Sequence, residues 1–369
     1  MRTRIISFVI VLQTLLLLLH AFVYWTWIFF ARFPRTPRVP CLEVAFLILA
    51  FSFISASLLA WRFRQWPVRI YYTTAAVWVG LFNFLVLASI ACWILLGLVR
   101  ALHLNWPAPD IAASVFGAAL VVGIYGLWNA SLTRVRRATV KLANLPAPWR
   151  GRIAALVSDT HLGHVRGARF ARRIVQRIAS YRPDLVLIAG DFYDGTAADL
   201  RKFAAPLSSL SPPHGTYYIA GNHEQFGDDR KYLEAVSAAG VRVLNNEKVI
   251  LDGLQIIGVH FRDAARPDRL RAILQQATLD PQAASILLTH APSHLGVVLE
   301  AGISLQVNGH THGGQFFPWT IPTRRIYGQF VYGLHRLGNL QVYTSCGAGT
   351  WGPPLRVGTT PEIVLLRFE

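Results

Sequence analysis

Two histidines stand one residue apart in Asn308-Gly309-His310-Thr311-His312-Gly313-Gly314-Gln315. In an extended chain positions i and i+2 face the same side, so both imidazoles can converge on one point. A single such pair can arise by chance in a loop. Four upstream blocks make chance a poor account: Asp159-Thr160-His161, Gly190-Asp191, Gly221-Asn222-His223-Glu224 and Thr289-His290. Each follows an apolar run that reads as a buried strand. Imidazole with carboxylate suits borderline divalent cations such as zinc, iron and manganese. The donors are too many for one tetrahedral ion and enough for two. Two ions about 3.5–4 Å apart can share a carboxylate and clamp the attacking and leaving oxygens of a phosphoryl displacement. The amide oxygen of Asn222 would fill a position without adding charge, and Gly190, Gly221 and Gly309 let backbone approach closely.

These blocks lie in a segment patterned as alternating strand and helix. The apolar runs 153–158, 185–189, 217–220, 241–244, 254–260, 286–288 and 305–307 read as strands. Residues 169–181 have helical spacing, with Phe170, Ile174 and Ile178 on one face. Residues 230–239 read as a helix closed by Gly240. An α/β sheet presents ligands at its strand ends. At roughly 220 residues this part can bury a full core.

The part before it is different. Hydrophobic residues make up 53% of the 369, charged ones 15%, and the mean hydropathy is +0.38. The excess lies before about residue 130, in runs 5–31, 41–61, 70–99 and 111–130. A bilayer span needs roughly 20 apolar residues, and each run is long enough. Trp25, Trp27, Trp61, Trp66, Trp106 and Trp128 fall near run ends, where interface aromatics belong. The first run is too long for a secretory signal core. The expected division is a four-span region over 1–137, a linker over 138–151 with Pro146 and Pro148, and a catalytic domain over 152–369.

The net charge of +17 is unevenly placed. Fourteen Lys and Arg precede residue 151 against two acids, Glu43 and Asp110, leaving 22 basic and 17 acidic residues downstream. The excess is mostly juxtamembrane, where it orients spans and meets anionic lipid. It is no broad cationic face, so no nucleic-acid partner is expected. Arg2 and Arg4, then Arg62, Arg64 and Arg69, then Arg134, Arg136, Arg137 and Lys141 outweigh Arg32, Arg35, Arg38 and Arg100 on the other side. The bias puts the N-terminus and the downstream domain in the cytoplasm, provided all four runs span. Cys41, Cys92 and Cys346 form no disulfide or zinc framework.

As a series, Asp-x-His, Gly-Asp-x-x-Asp, Gly-Asn-His-Glu, His and Gly-His-x-His resemble the calcineurin-like metallophosphoesterases, over about residues 151–369. The tail, with Gly347-Ala348-Gly349, Pro354-Leu355-Arg356 and Pro361-Glu362, resembles a subgroup described as transmembrane proteins with a metallophosphoesterase domain, which also carries several spans. The resemblance implies an α/β domain built as a four-layer α/β/β/α sandwich. It implies that Asp159, His161 and His312 hold one metal and that Asn222, His290 and His310 hold the other, with Asp191 bridging. It makes His223 the acid or phosphate-orienting group, and Asp194 and Glu224 supports for their neighbours. Manganese is the expected metal, with iron or zinc as alternatives. His164, His214, His260, His294 and His335 match no block and read as core or surface residues.

The expected protein is therefore a multipass membrane phosphohydrolase with two divalent metals. Relatives in the family cleave the diphosphate of UDP-2,3-diacylglucosamine, which makes a lipid-linked phosphate of that kind the leading substrate. A phosphodiesterase acting on nucleotides is one alternative. A transporter or sensor regulated by the domain is another, although His20 is the one ionisable residue near mid-span. After His312, Phe316-Phe317-Pro318-Trp319-Thr320-Ile321-Pro322 is too apolar for an ordinary loop, and Arg324 and Arg325 follow. Its two prolines argue against a helix or inner strand. It reads either as core packing or as a loop that dips into the bilayer interface beside the metals.

Overall fold

The computed structural model describes residues 2–31, 39–226 and 228–369. The first expected loop, with Arg32, Arg35 and Arg38, lies outside the described residues, as do the side chains of Arg2 and Arg4. The chain forms two compact units, Met1–Trp128 with Gly352–Leu355, and Asn129–Trp351 with Arg356–Glu369.

Four long helices begin the chain: α1 (Arg2–Ala31), α2 (Val39–Arg62), α3 (Trp66–Ala101) and α4 (Ala108–Ser131). All four are long and apolar enough to cross a membrane. Much of their apolar surface faces outward, as for Ile10, Leu18, Ile48, Ile94 and Val121. Phe30, Cys92, Leu96, Val99, Ile111 and Ala112 pack together among them. His20 is buried, and both its ring nitrogens are bonded. Nδ1 lies 2.8 Å from Leu16 O, and Nε2 accepts from Trp78 Nε1 at 3.1 Å. Its ring stacks on Phe82 at 3.7 Å between centroids. A neutral imidazole with both nitrogens used holds helices together, which weakens the transport reading.

The second unit contains β1 (Arg134–Val140), β2 (Ile153–Val157), α5 (Ala168–Ala179), β3 (Leu185–Ala189), α6 (Leu200–Ala204), β4 (Thr216–Ile219), α7 (Arg230–Ser237), β5 (Arg242–Val243), β6 (Glu247–Leu251) and β7 (Leu254–Gly258). It continues with α8 (Phe261–Ala264), α9 (Pro267–Gln276), β8 (Ser285–Leu288), α10 (Leu295–Glu300), β9 (Leu305–Asn308), α11 (Thr320–Tyr327), β10 (Gly333–Leu337), β11 (Leu340–Thr344) and β12 (Glu362–Phe368). Two mixed six-stranded sheets result, in the orders β1-β12-β2-β3-β4-β5 and β10-β11-β9-β8-β7-β6.

Alternation along the strands builds the layers. Ala154 and Leu156, Leu185 and Leu187, Ile286 and Leu288, and Leu305 and Val307 meet in one core between the sheets. The intervening Ala155, Val157, Val186 and Ile188 pack against Phe170, Ile174 and Ile178 of α5 and Val236 of α7. On the other sheet, Ile257, Leu287 and Val342 pack against Leu270 and Leu274 of α9 and Val298 of α10. This is the α/β/β/α sandwich. Runs such as 185–189 are apolar throughout because both faces are covered.

Two expectations change, and one that was left open divides. The stretch divided between a membrane region and a linker supplies β1, paired in parallel with β12 over Arg134–Val140. Its continuation is packed: Leu142, Leu145 and Trp149 join the core between the sheets. Arg134, Arg136 and Arg137 interrupt the apolar pattern and hide this edge strand. The segment after His312 does contain a helix, α11. Pro322 is its third residue, where a backbone N–H has no acceptor inside the helix, so the proline breaks nothing. Of the two characters left open for the segment's aromatics, core packing holds for Phe316, which is buried, while Phe317 and Trp319 are exposed.

Candidate metal centre

Each block lies just beyond the C-terminal end of a strand. Asp159 and His161 follow β2, Asp191 follows β3, Asn222 and His223 follow β4, His290 follows β8, and His310 and His312 follow β9. The chain must turn sharply there. Asp159, His161, Asp191, His310 and His312 all have φ between 46° and 70°, a left-handed conformation unusual for side-chain-bearing residues. Such strain persists where surroundings over-determine it, and it clusters at functional sites. The glycines give room. A Cβ on Gly309 or Gly221 would overlap the carboxylates of Asp159 and Asp191.

Two clusters of donor atoms result. In the first, His161 Nε2 and His312 Nε2 are 2.9 Å apart, and Asp159 Oδ1 lies 4.0 and 3.5 Å from them. In the second, Asn222 Oδ1, His290 Nε2 and His310 Nδ1 form a triangle with sides of 3.0, 3.0 and 3.1 Å. Asp191 Oδ2 lies between the clusters, 3.2 Å from His290 Nε2 and 3.8 Å from His161 Nε2. Donors bound at about 2.0–2.1 Å and right angles to one cation stand about 3 Å apart, so the triangle has the spacing of a coordination face. The donor sets Asp159–His161–His312 and Asp191–His290–His310 each fit one ion. Nearly all of these side chains are buried.

Hydrogen bonds fix which nitrogen each ring presents. His290 Nδ1–H donates to Ala189 O at 2.7 Å, and His223 Nδ1–H donates to Asp194 O at 2.8 Å, so both turn Nε2 inward. His223 Nε2 is 3.9 Å from Asp191 Oδ2. His161, Asp191 and His223 themselves form a third cluster that could hold an ion, so distance alone does not separate His223 from the ligands. Glu224 is a clamp rather than a contact: its carboxylate accepts from the backbone N–H groups of Asp191, Gly221 and Tyr193 at 2.7–3.0 Å. Asp194 reaches His223 through its carbonyl, while its carboxylate accepts from Thr196.

Burial and mutual charge set the protonation. Burial holds His161 and His312 well below the usual imidazole range, helped by His223 and Arg356 respectively. Burial and His290 bring His310 down to about 4. These rings are neutral and offer lone pairs. Burial pushes Asp159 up to about 6, and with Asp191 nearby it pushes Glu224 up to about 7. Burial also works against charge on Asp191, but His290 and His223 outweigh it and hold that carboxyl well below its usual range. Burial likewise opposes charge on His290, yet the Asp191 carboxylate raises it to about 9.

The five unmatched histidines bond elsewhere among the described residues: His164 with Thr196, His214 with Arg152, His260 near Asp229, His294 with Ala265 O, and His335 with Tyr332 O. Several neighbours of the centre had no role assigned from sequence. Arg356 is fully buried and donates to His312 O at 2.9 Å, Cys346 O at 2.7 Å and Gly349 O at 2.6 Å, with Nη2 3.0 Å from His312 Nδ1. It ties the turn bearing His312 to the loop after β11. Phe261 lies 5.5 and 5.9 Å from the rings of His290 and His310, and Tyr327 of α11 lies 6.2 Å from His310. Only the position of Arg356 in the tail motif hinted at its importance.

Comparison with known proteins agrees with this geometry. Residues 154–314 match the family model for calcineurin-like phosphoesterases. A metallophosphoesterase of Helicobacter pylori is 34% identical over 220 residues, covering 58% of this chain and 58% of its own length. A metallophosphoesterase of Campylobacter jejuni is 32% identical over 255 residues, covering 67% of this chain and 66% of its own. A Danio rerio protein named transmembrane protein with metallophosphoesterase domain is 31% identical over 262 residues, 66% of this chain and 59% of its own. The chain thus matches somewhat over half the length of these relatives.

Proposed function

The chain belongs to the calcineurin-like phosphoesterases through residues 154–314, and from that footing we propose that it is a membrane-bound hydrolase of phosphoester or diphosphate bonds working with two divalent cations. The observation that carries this reading is the pair of donor clusters joined at Asp191 Oδ2. Asp159, His161 and His312 would hold one cation, and Asn222, His290 and His310 the other, with Asp191 shared. Two bound cations would supply the electrostatic clamp on the attacking and leaving oxygens of an in-line displacement. The neutral rings of His161, His310 and His312 supply lone pairs, and Glu224 holds the backbone of Asp191 in place. His223, with its Nδ1 proton committed to Asp194 O, can pass a proton through Nε2 to the departing oxygen.

The substrate we favour is lipid-linked, such as UDP-2,3-diacylglucosamine, and the cation we favour is manganese. Four apolar helices and a relative named as a transmembrane protein support an integral membrane protein. The exposed Phe317, Trp319, Ile321 and Ile326, with Arg324 and Arg325 among them, make an apolar and cationic surface on the segment that ends at Tyr327 beside His310. Such a surface suits the bilayer interface. The test is turnover by the purified full-length protein, with added Mn²⁺ and with chelator. The panel is UDP-2,3-diacylglucosamine, a simple lipid phosphate, cyclic nucleotides and bis(4-nitrophenyl) phosphate. Metal-dependent hydrolysis with the lipid-linked diphosphate preferred is expected. Absence of metal-dependent turnover on the whole panel would overturn the reading.

A further inference from the structure

Two large aromatic side chains beside His223 are left open to solvent. Phe226 is 51% exposed and Trp351 is 59% exposed. Both touch the same imidazole: their ring centroids lie 4.7 and 5.8 Å from that of His223, at interplanar angles of 66° and 70°. The backbone that carries Trp351 is held, and Phe226 has close neighbours, although both rings are exposed. Trp351 N–H donates to Gln315 Oε1 at 2.8 Å, and Trp351 O accepts from Gln315 Nε2 at 2.9 Å, so one side-chain amide grips both backbone groups of the tryptophan. Gln315 is buried, with φ 58°, three residues beyond His312. The turn that presents His310 and His312 therefore also holds the backbone of Trp351. Phe226 lies over Gly195, where a Cβ would come within 2.6 Å of the ring.

A rigid aromatic with an open face is a platform for another flat ring, which it meets in an offset or edge-to-face arrangement. We propose that Phe226 and Trp351 form a subsite beside His223 for a planar, nucleobase-like group carried by the phosphate, and that Gln315 is the positioning residue for Trp351. This rests on the reading of the centre as a phosphohydrolase. His223 is the group set to protonate the departing oxygen, so the planar group belongs to the leaving portion of the substrate. An alkyl chain would also cover the rings, but it has no flat face to stack.

The test separates shape from apolarity. Methylphosphonate, cyclohexylphosphonate and phenylphosphonate are titrated calorimetrically into the full-length, Mn²⁺-loaded protein in detergent. Phenylphosphonate should bind roughly tenfold more tightly than methylphosphonate, as expected for one base-on-aromatic stack, with cyclohexylphosphonate close to methyl. Trp351→Ala should bring the phenyl-to-methyl ratio to within about threefold, and Trp351→Phe should retain most of it. Gln315→Ala should reduce the ratio through loss of the backbone grip. Ile250→Ala, at an exposed apolar position on β6, should not change it. Equal binding of phenyl- and cyclohexylphosphonate, or a ratio that survives both Trp351→Ala and Phe226→Ala, would overturn the subsite. Hydrolysis of bis(4-nitrophenyl) phosphate is measured alongside. Loss of the phenyl preference with hydrolysis intact condemns the subsite alone, whereas phenyl preference without hydrolysis upholds the subsite and condemns the proposed activity.

Discussion

Asp191 has the most demanding position in the centre, because its Oδ2 faces His290 at 3.2 Å and His161 at 3.8 Å while its Oδ1 accepts from His223 N–H. Asp191→Asn keeps the shape and removes the negative charge between two cations. Metal affinity should fall by more than the roughly 10–100-fold that changes to surrounding partners cost, and turnover should be lost with it. Two metals per chain and near-normal turnover, measured by elemental analysis and rate, would refute the bridge. His223→Ala is expected to behave differently: kcat falls about 10²–10⁴-fold while metal content is kept. Loss of a metal would make His223 a ligand. The residue types and order of the centre were legible in the sequence, because each donor follows an apolar run. Which ring nitrogen each histidine presents was not, because that depends on Ala189 O and Asp194 O, contributed by other turns. Arg356 and Gln315 stand inside recognised motifs, but what they hold was unreadable for the same reason: they act on residues 44 and 36 positions away.

Among the elements, legibility followed how plainly a strand's pattern showed. The central strands β2 and β3 were evident as unbroken apolar runs, and β7, β8 and β9 as mostly apolar ones that Gln255, Ser285, Gln306 and Asn308 interrupt or flank. The edge strands β1, β6 and β10 are not among the runs read from sequence, since charged side chains interrupt them, and neither are the interior strands β11 and β12, although both are buried. Two of the edge strands carried turn signals that identify them in retrospect: Asp252-Gly253, both with positive φ, joins β6 to β7, and Gly338-Asn339 joins β10 to β11. The segment from Phe316 to Tyr327 mixes both of its expected characters. Phe316 is core, whereas Phe317 and Trp319 are exposed ahead of and at the start of α11. Phe317→Ser with Trp319→Ser should lower cleavage of a lipid substrate in vesicles by roughly tenfold or more, through lost interfacial anchoring. Hydrolysis of soluble bis(4-nitrophenyl) phosphate and the Tm should hardly move. Phe316→Ser, by contrast, should lower the Tm of the second unit by roughly 6–16 °C, the effect of losing a buried aromatic in a domain of this size. Equal losses on both substrates together with a lowered Tm in the double variant would show that Phe317 and Trp319 are packing residues as well.

At the scale of the whole molecule, the side of the membrane on which the centre works depends on an even number of spans. The division into an apolar first part and a strand-and-helix second part was legible from hydropathy, and four helices bear it out. Their direction rests on charge. Arg62 closes α2, and Arg64 and Arg69 follow it closely, whereas the connection from α3 to α4 is flanked by Arg100 alone, in the last turn of α3. Arg134, Arg136 and Arg137 lie on β1 but still within a few residues of the end of α4 at Ser131, close enough to count toward orientation. Together with Arg2 and Arg4 these favour a cytoplasmic second unit, against Arg32, Arg35 and Arg38 on the opposite side. Cysteine labelling can read this directly, because Cys92 and Cys346 are buried and only Cys41 is exposed. Burial also pushes the Cys346 thiol far up, so it should not react. In a Cys41→Ser background, Ser208→Cys places one reactive thiol on an exposed turn of the second unit. A membrane-impermeant maleimide should leave it unlabelled in intact cells and label it after permeabilisation. Labelling in intact cells would mean that the unit faces outward, either because one apolar helix does not cross or because all four cross in the opposite direction. A cytoplasmic substrate could then no longer be the natural one, although the donor clusters around Asp191 would be untouched.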